Sequence, residues 1–148
     1  MQFDVTCHDF ESLTPGDVYN MLRLRSEVFV VEQKCVFLDA DDRDQNCQHV
    51  LVRLDGELVS CSRLVPPGLV YEEMSIGRVV THPSVRGCGV GKLLMEKSLF
   101  YLHAKFGSGP VRIGAQYYLK RFYETFGFVQ CSDIYDEDGI DHIHMLKS

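Results

Sequence analysis

The chain has 148 residues, a net charge of −6, 45% hydrophobic residues and 24% charged residues, values that fit one globular domain spanning 1–148. The acidic balance argues against nucleic acid as a partner, because phosphate backbones require clustered Lys and Arg. Apolar runs are too short for a membrane span and the first residues lack the features of a secretory signal, so we expect no membrane contact and a cytoplasmic location.

Two elements are predicted before residue 34. Apolar residues alternate with polar ones over residues 3–7, which indicates a short strand. Thr14, Pro15 and Asp17 supply a cap, a first helical proline and a first-turn acid, which is the composition of a helix start. Apolar residues then recur at helical spacing, so we expect one helix that ends near Gln33.

A polar loop and a hairpin are predicted next. Residues 34–46 contain four aspartates and few apolar anchors, so they predict a loop. Strand-like runs at 47–54 and 58–65 are joined by Asp55-Gly56, a strong hairpin signal. A third strand-like run, 70–81, ends before a proline, which cannot donate to a strand ladder.

The second half of the chain predicts two helices and three strands, which makes the domain α/β. A helix is expected over 90–106 and a short strand over 111–115. A second helix follows, whose apolar residues Leu119, Phe122, Tyr123 and Phe126 share one face and which Gly127 ends as a cap. Strands at 128–131 and 140–146 complete the domain.

The cysteines and histidines predict neither disulfides nor a metal site. The six cysteines form no C-x-x-C pair, and without a secretory signal we expect reduced, mostly buried thiols. The nearest approach to a zinc-ligand set is Cys47 with His49, together with His142 and His144, and its spacing is poor. No metal is therefore expected.

A glycine-rich loop, Arg86-Gly87-Cys88-Gly89-Val90-Gly91-Lys92, separates the third strand-like run from the helix after it. Glycine allows positive φ and close backbone approach to a ligand, and amides at a helix N-terminus favour anions. With Arg86 and Lys92 adding charge, the loop predicts a pyrophosphate site. It lacks the hydroxyl of a Walker A loop and the third glycine of a dinucleotide fingerprint. A glycine turn without a ligand stays open as an alternative.

Two segments resemble motifs of the GCN5-related N-acetyltransferase (GNAT) family. Arg86, Gly89 and Gly91 meet its [QR]-x-x-G-x-[GA] pyrophosphate pattern, and residues 122–128 are similar to the F-Y-x-x-x-G-F end of a later family helix. Residues 25–35 are similar to the R-x-x-V-F-V-V-E-Q-x-C segment of the ElaA-type group. The resemblance implies a single GNAT-like domain, with a mixed central sheet flanked by helices.

By the same resemblance, the chain transfers an acetyl group from acetyl-CoA to an amine that attacks directly, and Tyr123 is the general acid for the departing thiolate. Residues implied to contact acetyl-CoA are Val79 and Val80 on a strand edge, Arg86, Gly87, Cys88, Gly89, Val90, Gly91 and Lys92 in the loop, and Gln116. Dimers are common in the family, so a homodimer is possible.

The residue that deprotonates the amine stays open among Glu32, Glu73, His49 and His142. Glu73 lies just before the cofactor strand, and histidine side chains ordinarily titrate near neutral pH. Arg25 and Glu32 are seven residues apart on the first helix and should share a face. That face either borders a substrate pocket or forms solvated ion pairs. Cys88 is expected to be a spacer rather than an acyl-carrying nucleophile.

Two other functions and the acceptor remain open. The chain could be a CoA-binding or sensory module without catalysis, or an acyltransferase for longer acyl groups. Residues 34–46 and 132–139 carry no signature that names the acceptor, so protein amines, polyamines and small amines all fit.

Overall fold

Two four-stranded antiparallel sheets form the framework, and the computed structural model describes residues 1–148. The strands are β1 (Phe3–Asp9), β2 (Gln48–Leu54), β3 (Glu57–Val65), β4 (Ser75–Thr81), β5 (Val111–Gln116), β6 (Val129–Gln130), β7 (Tyr135–Glu137) and β8 (Ile140–Lys147), and the helices are α1 (Pro15–Arg25), α2 (Val90–Phe106) and α3 (Lys120–Glu124). The first sheet has the order β1-β2-β3-β4. In the second, β8 pairs with β5, β6 and β7.

Helices cover both faces of the first sheet, which explains why its central strands β2 and β3 contain runs of consecutive buried residues. On one face Val50 and Val52 pack with Leu94 and Leu102 of α2 in the main core cluster. On the other face a second cluster contains Leu51 with residues of α1. Strands buried on both sides lose the simple alternation that a half-exposed strand shows.

The predicted helix start is confirmed by a capping box. The Asp17 amide donates to the Thr14 hydroxyl and the Thr14 amide donates to the Asp17 carboxylate, both at 3.1 Å. The helix then continues to Glu32 as a π-helical segment, Ser26–Glu32. Hydrogen bonds that span five residues wind it more loosely than an α-helix and shift the direction of its side chains.

Because of that change of winding, the prediction that Arg25 and Glu32 share one face of the helix is wrong. Arg25 is 1% exposed and points into the interior, whereas Glu32 is exposed. The π-helical segment still borders the cleft described below, through Val28, Phe29 and Glu32.

The hairpin prediction is confirmed and a second hairpin was missed. Asp55 and Gly56 both have positive φ, at 52° and 83°, as a two-residue hairpin turn of type I′ requires. Asp138 and Gly139 repeat the pattern at 53° and 83° and join β7 to β8. The Asp-Gly pair was a readable signal, but residues 132–139 carry no predicted element. The strand expected from residue 70 begins only at Ser75, because 69–73 form turns and bends.

The two sheets meet at one point and then separate. Met74 and Val111 form a single parallel bridge, where the Arg112 amide donates to the Met74 carbonyl oxygen at 3.0 Å. Beyond it β4 and β5 diverge, so β4 is an edge strand along Ser75–Thr81. This single parallel contact makes the sheet system mixed. None of the helices has the length and apolar character that crossing a bilayer requires.

Candidate active site

A cleft of about 880 Å³ opens where β4 and β5 part. The free edge of β4 forms one wall, residues of β5 and β8 form the opposite wall, and the π-helical segment closes one side. An edge strand carries unpaired N–H and C=O groups. The cleft therefore offers backbone hydrogen bonds to an extended ligand.

A β-bulge interrupts β4 inside the cleft. Cys61 pairs with Val80 but Arg63 pairs with Gly77, so Arg78 and Val79 together lie opposite Ser62. Arg78 has a φ of 49°, a left-handed conformation that costs energy for a side chain of this size. Bulges of this kind redirect backbone groups out of the ladder.

Five backbone amides are unpaired in the glycine loop and in the first turn of the helix that follows it. Gly87 and Gly89 have φ of 83° and 79°, and Gly89 is the N-cap of α2 without a side-chain cap. The amides of Gly87, Gly89, Val90, Gly91 and Lys92 donate no backbone hydrogen bond. The first turn of a helix has such free donors, and the helix dipole makes this end favourable for anions.

The charged residues that flank the loop are already paired. Arg86 donates two hydrogen bonds of 2.6 Å to the Glu32 carboxylate, and this guanidinium lowers the pKa of Glu32. Lys92 is exposed and lies 3.9 Å from Glu96. Both cations are at the loop, and Glu32 fixes the direction in which Arg86 points.

Tyr123 is a buried phenol whose residue lines the cleft. It is 6% exposed and packs in the main core cluster, against the rings of Phe122 and Phe128 at 5.2 and 6.2 Å. Burial, with a smaller effect of Tyr118, raises its pKa far above the usual range, and no hydrogen bond contributes. Its hydroxyl therefore keeps its proton and has no donor or acceptor partner in the protein.

His142 lies on the wall formed by the second sheet and is 7% exposed. Its Nδ1 is 2.8 Å from the Ile140 carbonyl oxygen, so Nδ1 carries a proton and donates. Its Nε2 is 3.2 Å from the Glu137 carboxylate. The ring stacks at a tilt on Tyr135, with 5.9 Å between centroids.

Two other candidate bases do not line the cleft. Glu73 is held by Arg112 through contacts of 3.0 and 3.1 Å, which lower its pKa. His49 is fully buried in the core, with Nε2 2.9 Å from the Asp44 carbonyl oxygen, and burial lowers its pKa. Neither side chain is placed to take a proton from a group in the cleft.

The remaining expected residues fall into two groups. Val79, Val80 and Gln116 line the cleft, and the Gln116 amide pairs with that of Gln33 across it at 3.3 Å. Cys88 lies exposed in the glycine loop. All six cysteines are free, with Cys35, Cys47 and Cys61 buried; burial raises the pKa of Cys47 to about 11. No group of three His, Cys, Asp or Glu side chains is arranged to hold a metal ion.

Sequence reasoning missed a buried network of three arginines and three aspartates at one end of the cleft. Its members are Arg25, Arg63, Arg78, Asp39, Asp41 and Asp44. Arg25 Nε donates to Asp39 at 2.7 Å, and its terminal nitrogens donate to both oxygens of Asp44 at 2.9 and 3.1 Å. The four aspartates of the 34–46 segment were the available signal.

The same network anchors the bulge of β4. Arg78 donates to the Asp39 carbonyl oxygen at 3.0 Å, while its Nε lies 2.8 Å from Asp39 Oδ1 without hydrogen-bond alignment. Arg63 forms a fork with Asp41 at 2.8 and 2.9 Å. Burial would raise the pKa of Asp41, but Arg63 and Arg78 outweigh it and hold the value at about 2. The positive charges are thereby neutralised in place.

Comparisons with known proteins agree on one family. An acetyltransferase (GNAT) domain model matches residues 27–148. The chain is 39% identical over 137 residues to protein ElaA of Escherichia coli strain K12, a match that covers 91% of this chain and 90% of ElaA. The crystal structure of Escherichia coli ElaA aligns with a TM-score of 0.93 at 35% identity, over 99% of this chain and 100% of that one. An acyl-CoA N-acyltransferase from Pseudomonas aeruginosa aligns with a TM-score of 0.94 at 38% identity, over 99% and 100%.

Proposed function

Because the chain belongs to the GNAT acetyltransferase family, we propose that it moves an acetyl group from acetyl-CoA to an amine that attacks directly in a ternary complex. One observation carries this proposal: the cleft that Tyr123 lines with its unpartnered hydroxyl also reaches Arg86 and Gly91 of the glycine loop, a loop with five unpaired amides. The amides suit a diphosphate and the hydroxyl suits a leaving thiolate. The Pseudomonas aeruginosa relative is described as an acyl-CoA N-acyltransferase, which supports the same class of reaction.

Binding of acetyl-CoA is assigned to the loop and the strand edge. The five loop amides would donate to the diphosphate, with Arg86 and Lys92 supplying positive charge. The free edge of β4 at Val79 and Val80 would pair with the two amide groups of the pantetheine arm, as an added strand does. Gln116, opposite this edge, would donate to the same arm.

Stabilisation of the transition state is assigned to the bulge. The thioester carbonyl oxygen becomes negative as the amine attacks, and a fixed backbone N–H aimed at it is worth roughly 3 kcal/mol. The strained turn at Arg78 sets the direction of the Val79 and Val80 amides. The buried arginine and aspartate network would keep that turn rigid at the moment of reaction.

Proton movements are assigned to His142 and Tyr123. The ammonium acceptor gives its first proton to His142 Nε2, from which Glu137, exposed to solvent, can take it. The amine nitrogen then bonds to the acetyl carbon and the carbon–sulfur bond breaks. Tyr123 donates to the departing sulfur, and the second proton of the acylated nitrogen restores the phenol. One proton is released overall, and general acid catalysis of this kind is typically worth about 10²–10⁴-fold.

The proposal is tested by coenzyme A binding and by thiol release with a panel of amines. Gly89→Ala should weaken binding by calorimetry at least about tenfold, because a side chain at a φ of 79° disturbs the amides. Gly56→Ala is the matched control, since Gly56 has a φ of 83°, nothing within 4 Å of an added Cβ and a position in a distant hairpin. Equal binding by the two variants, or no heat with coenzyme A in the parent chain, would contradict the proposal.

A further inference from the structure

The end of the cleft near His142 has walls that suit a cationic ligand. Glu137 and Asp138 line it, and they belong to a hairpin, residues 132–142, that contains five acidic residues and no Lys or Arg. The carboxylates of Glu137 and Asp138 lie near His142, the base assigned above, and would attract the cationic acceptor amine as it enters the cleft. These carboxylates are mostly exposed to solvent, which weakens their ion pairs, so their negative charge alone does not define a binding site.

Tyr71 lines the cleft together with these carboxylates and Gly114, and Tyr135 lies beside it outside the lining. The hydroxyls of Tyr71 and Tyr135 converge over Gly114, where an added Cβ would lie 3.1 and 3.2 Å from them. Tyr135 also packs edge-on against His144, with 5.2 Å between centroids. A side chain at 114 would displace these hydroxyls, so glycine keeps the phenol of Tyr71 at the cleft, where its hydroxyl can accept a hydrogen bond from an ammonium group.

The electrostatic surroundings agree with this geometry. Burial and then Glu137 raise the pKa of Tyr71, although Arg112 and Arg43 act against them. Burial, Glu137 and Tyr71 raise the pKa of Tyr135 to about 12. Burial, the larger cause, disfavours a charge of either sign, whereas the contribution of Glu137 is that of a nearby negative charge, which would favour an added cation.

The arginines that line the cleft do not reverse this preference. Arg63 and Arg78 line the cleft, but with Arg25 they face three aspartates, so the buried network has no net charge. Arg43 is half-exposed and lies 4.0 Å from Asp41. An acceptor carboxylate would find its potential partners already occupied.

We infer that the acceptor is an aliphatic amine with a second positive charge, a diamine or polyamine, whose reacting nitrogen lies at His142 and whose other ammonium lies at Asp138. This inference rests on the proposed function. His142 is buried and Asp138 is exposed. The reacting nitrogen would therefore lie at the wall of the cleft, and the other ammonium would lie at its mouth. The unpartnered hydroxyl of Tyr123 lines the same cleft.

Three amines of similar length separate the possibilities: 1,4-diaminobutane, n-butylamine and 4-aminobutanoate. With acetyl-CoA and low salt, kcat/KM for the diamine should exceed that for n-butylamine at least about tenfold, and the ratio should fall as salt screens the charges. Equal values for these two, or a preference for 4-aminobutanoate, would overturn the inference while leaving acetyl transfer intact.

A charge-only variant tests the second ammonium site. Asp138→Asn keeps the turn, because Asn tolerates its positive φ of 53°, and should reduce the diamine advantage several-fold. Asp133→Asn is the control, because Asp133 belongs to the same hairpin but does not line the cleft. Identical ratios in both variants would refute the assignment.

Direct binding separates this inference from the proposed function. Calorimetry should give saturable binding of 1,4-diaminobutane to the protein with coenzyme A, weakened by Asp138→Asn but not by Asp133→Asn. Binding without thiol release from acetyl-CoA would leave the subsite intact and refute the catalytic proposal. No saturable binding would refute the subsite.

Discussion

Replacing Tyr123 by Phe should lower turnover and leave stability nearly unchanged. The residue is 6% exposed and its hydroxyl has no protein partner, but the residue lines the cleft and the hydroxyl keeps some accessible surface there, so water can accept its hydrogen bond and the desolvation cost is small. Phe keeps the ring contacts with Phe122 and Phe128. We therefore expect the free energy of unfolding to change by less than about 1 kcal/mol, and Tm by less than about 3 °C.

The same substitution should reduce kcat by about 10²-fold or more, because the departing thiolate loses its donor. Coenzyme A affinity should change little, since the assigned binding groups are backbone amides. Thiol release gives kcat, calorimetry gives Kd, and urea unfolding gives stability. Tyr19→Phe is the control, because Tyr19 is 66% exposed and lies outside the cleft. Unchanged kcat together with a loss of stability above about 1 kcal/mol would refute the reasoning, since it would assign the hydroxyl a structural partner.

Two further predictions concern the buried network. Arg25→Met should cost about 3–5 kcal/mol, because it removes three hydrogen bonds from the Asp39 and Asp44 carboxylates and leaves the buried network with one uncompensated negative charge. Arg23→Met, at an exposed site, should cost less than about 1 kcal/mol. Similar losses in urea unfolding would contradict the role of the network. The pKa of Asp41 is lowered from 3.8 to about 2 in the folded chain, so its contribution is complete above about pH 4 and is lost as the pH falls towards about 2. The stability difference between the parent chain and Asp41→Asn should accordingly shrink over that range in acid unfolding, and a constant difference would argue against the ion pairs.

Most of the fold could be predicted because the signals are local. The capping box at Thr14 and Asp17, the turn at Asp55-Gly56 and the positive φ at Gly127 depend on residues a few positions apart. The short strand β7 and the π-helical segment were missed. Strand β7 has only three residues, Tyr135–Glu137, too few to show an alternating pattern, and a looser helix has the same residue preferences as an α-helix.

The candidate site could be predicted only in part. The sequence led to the glycine loop and Tyr123, because their spacing resembles a known family, and both lie at the cleft. It left the base open among four residues, of which Glu73 and His49 lie outside the cleft. Whether a carboxylate is free or held depends on a distant partner, as Arg112 holds Glu73 from 39 positions away, and no local pattern records such a pairing.

By itself the sequence determined the order of helices and strands and the loop that carries the free amides, since both follow from short-range backbone preferences. Only the tertiary structure decided that β4 and β5 part after one bridge, that the bulge at Arg78 lies on a neutral buried network, and that Glu137, Asp138 and His142 share one wall. These features arise from contacts between segments far apart in the chain. Their energies depend on burial and on the distance between charges, which exist only after the chain has folded.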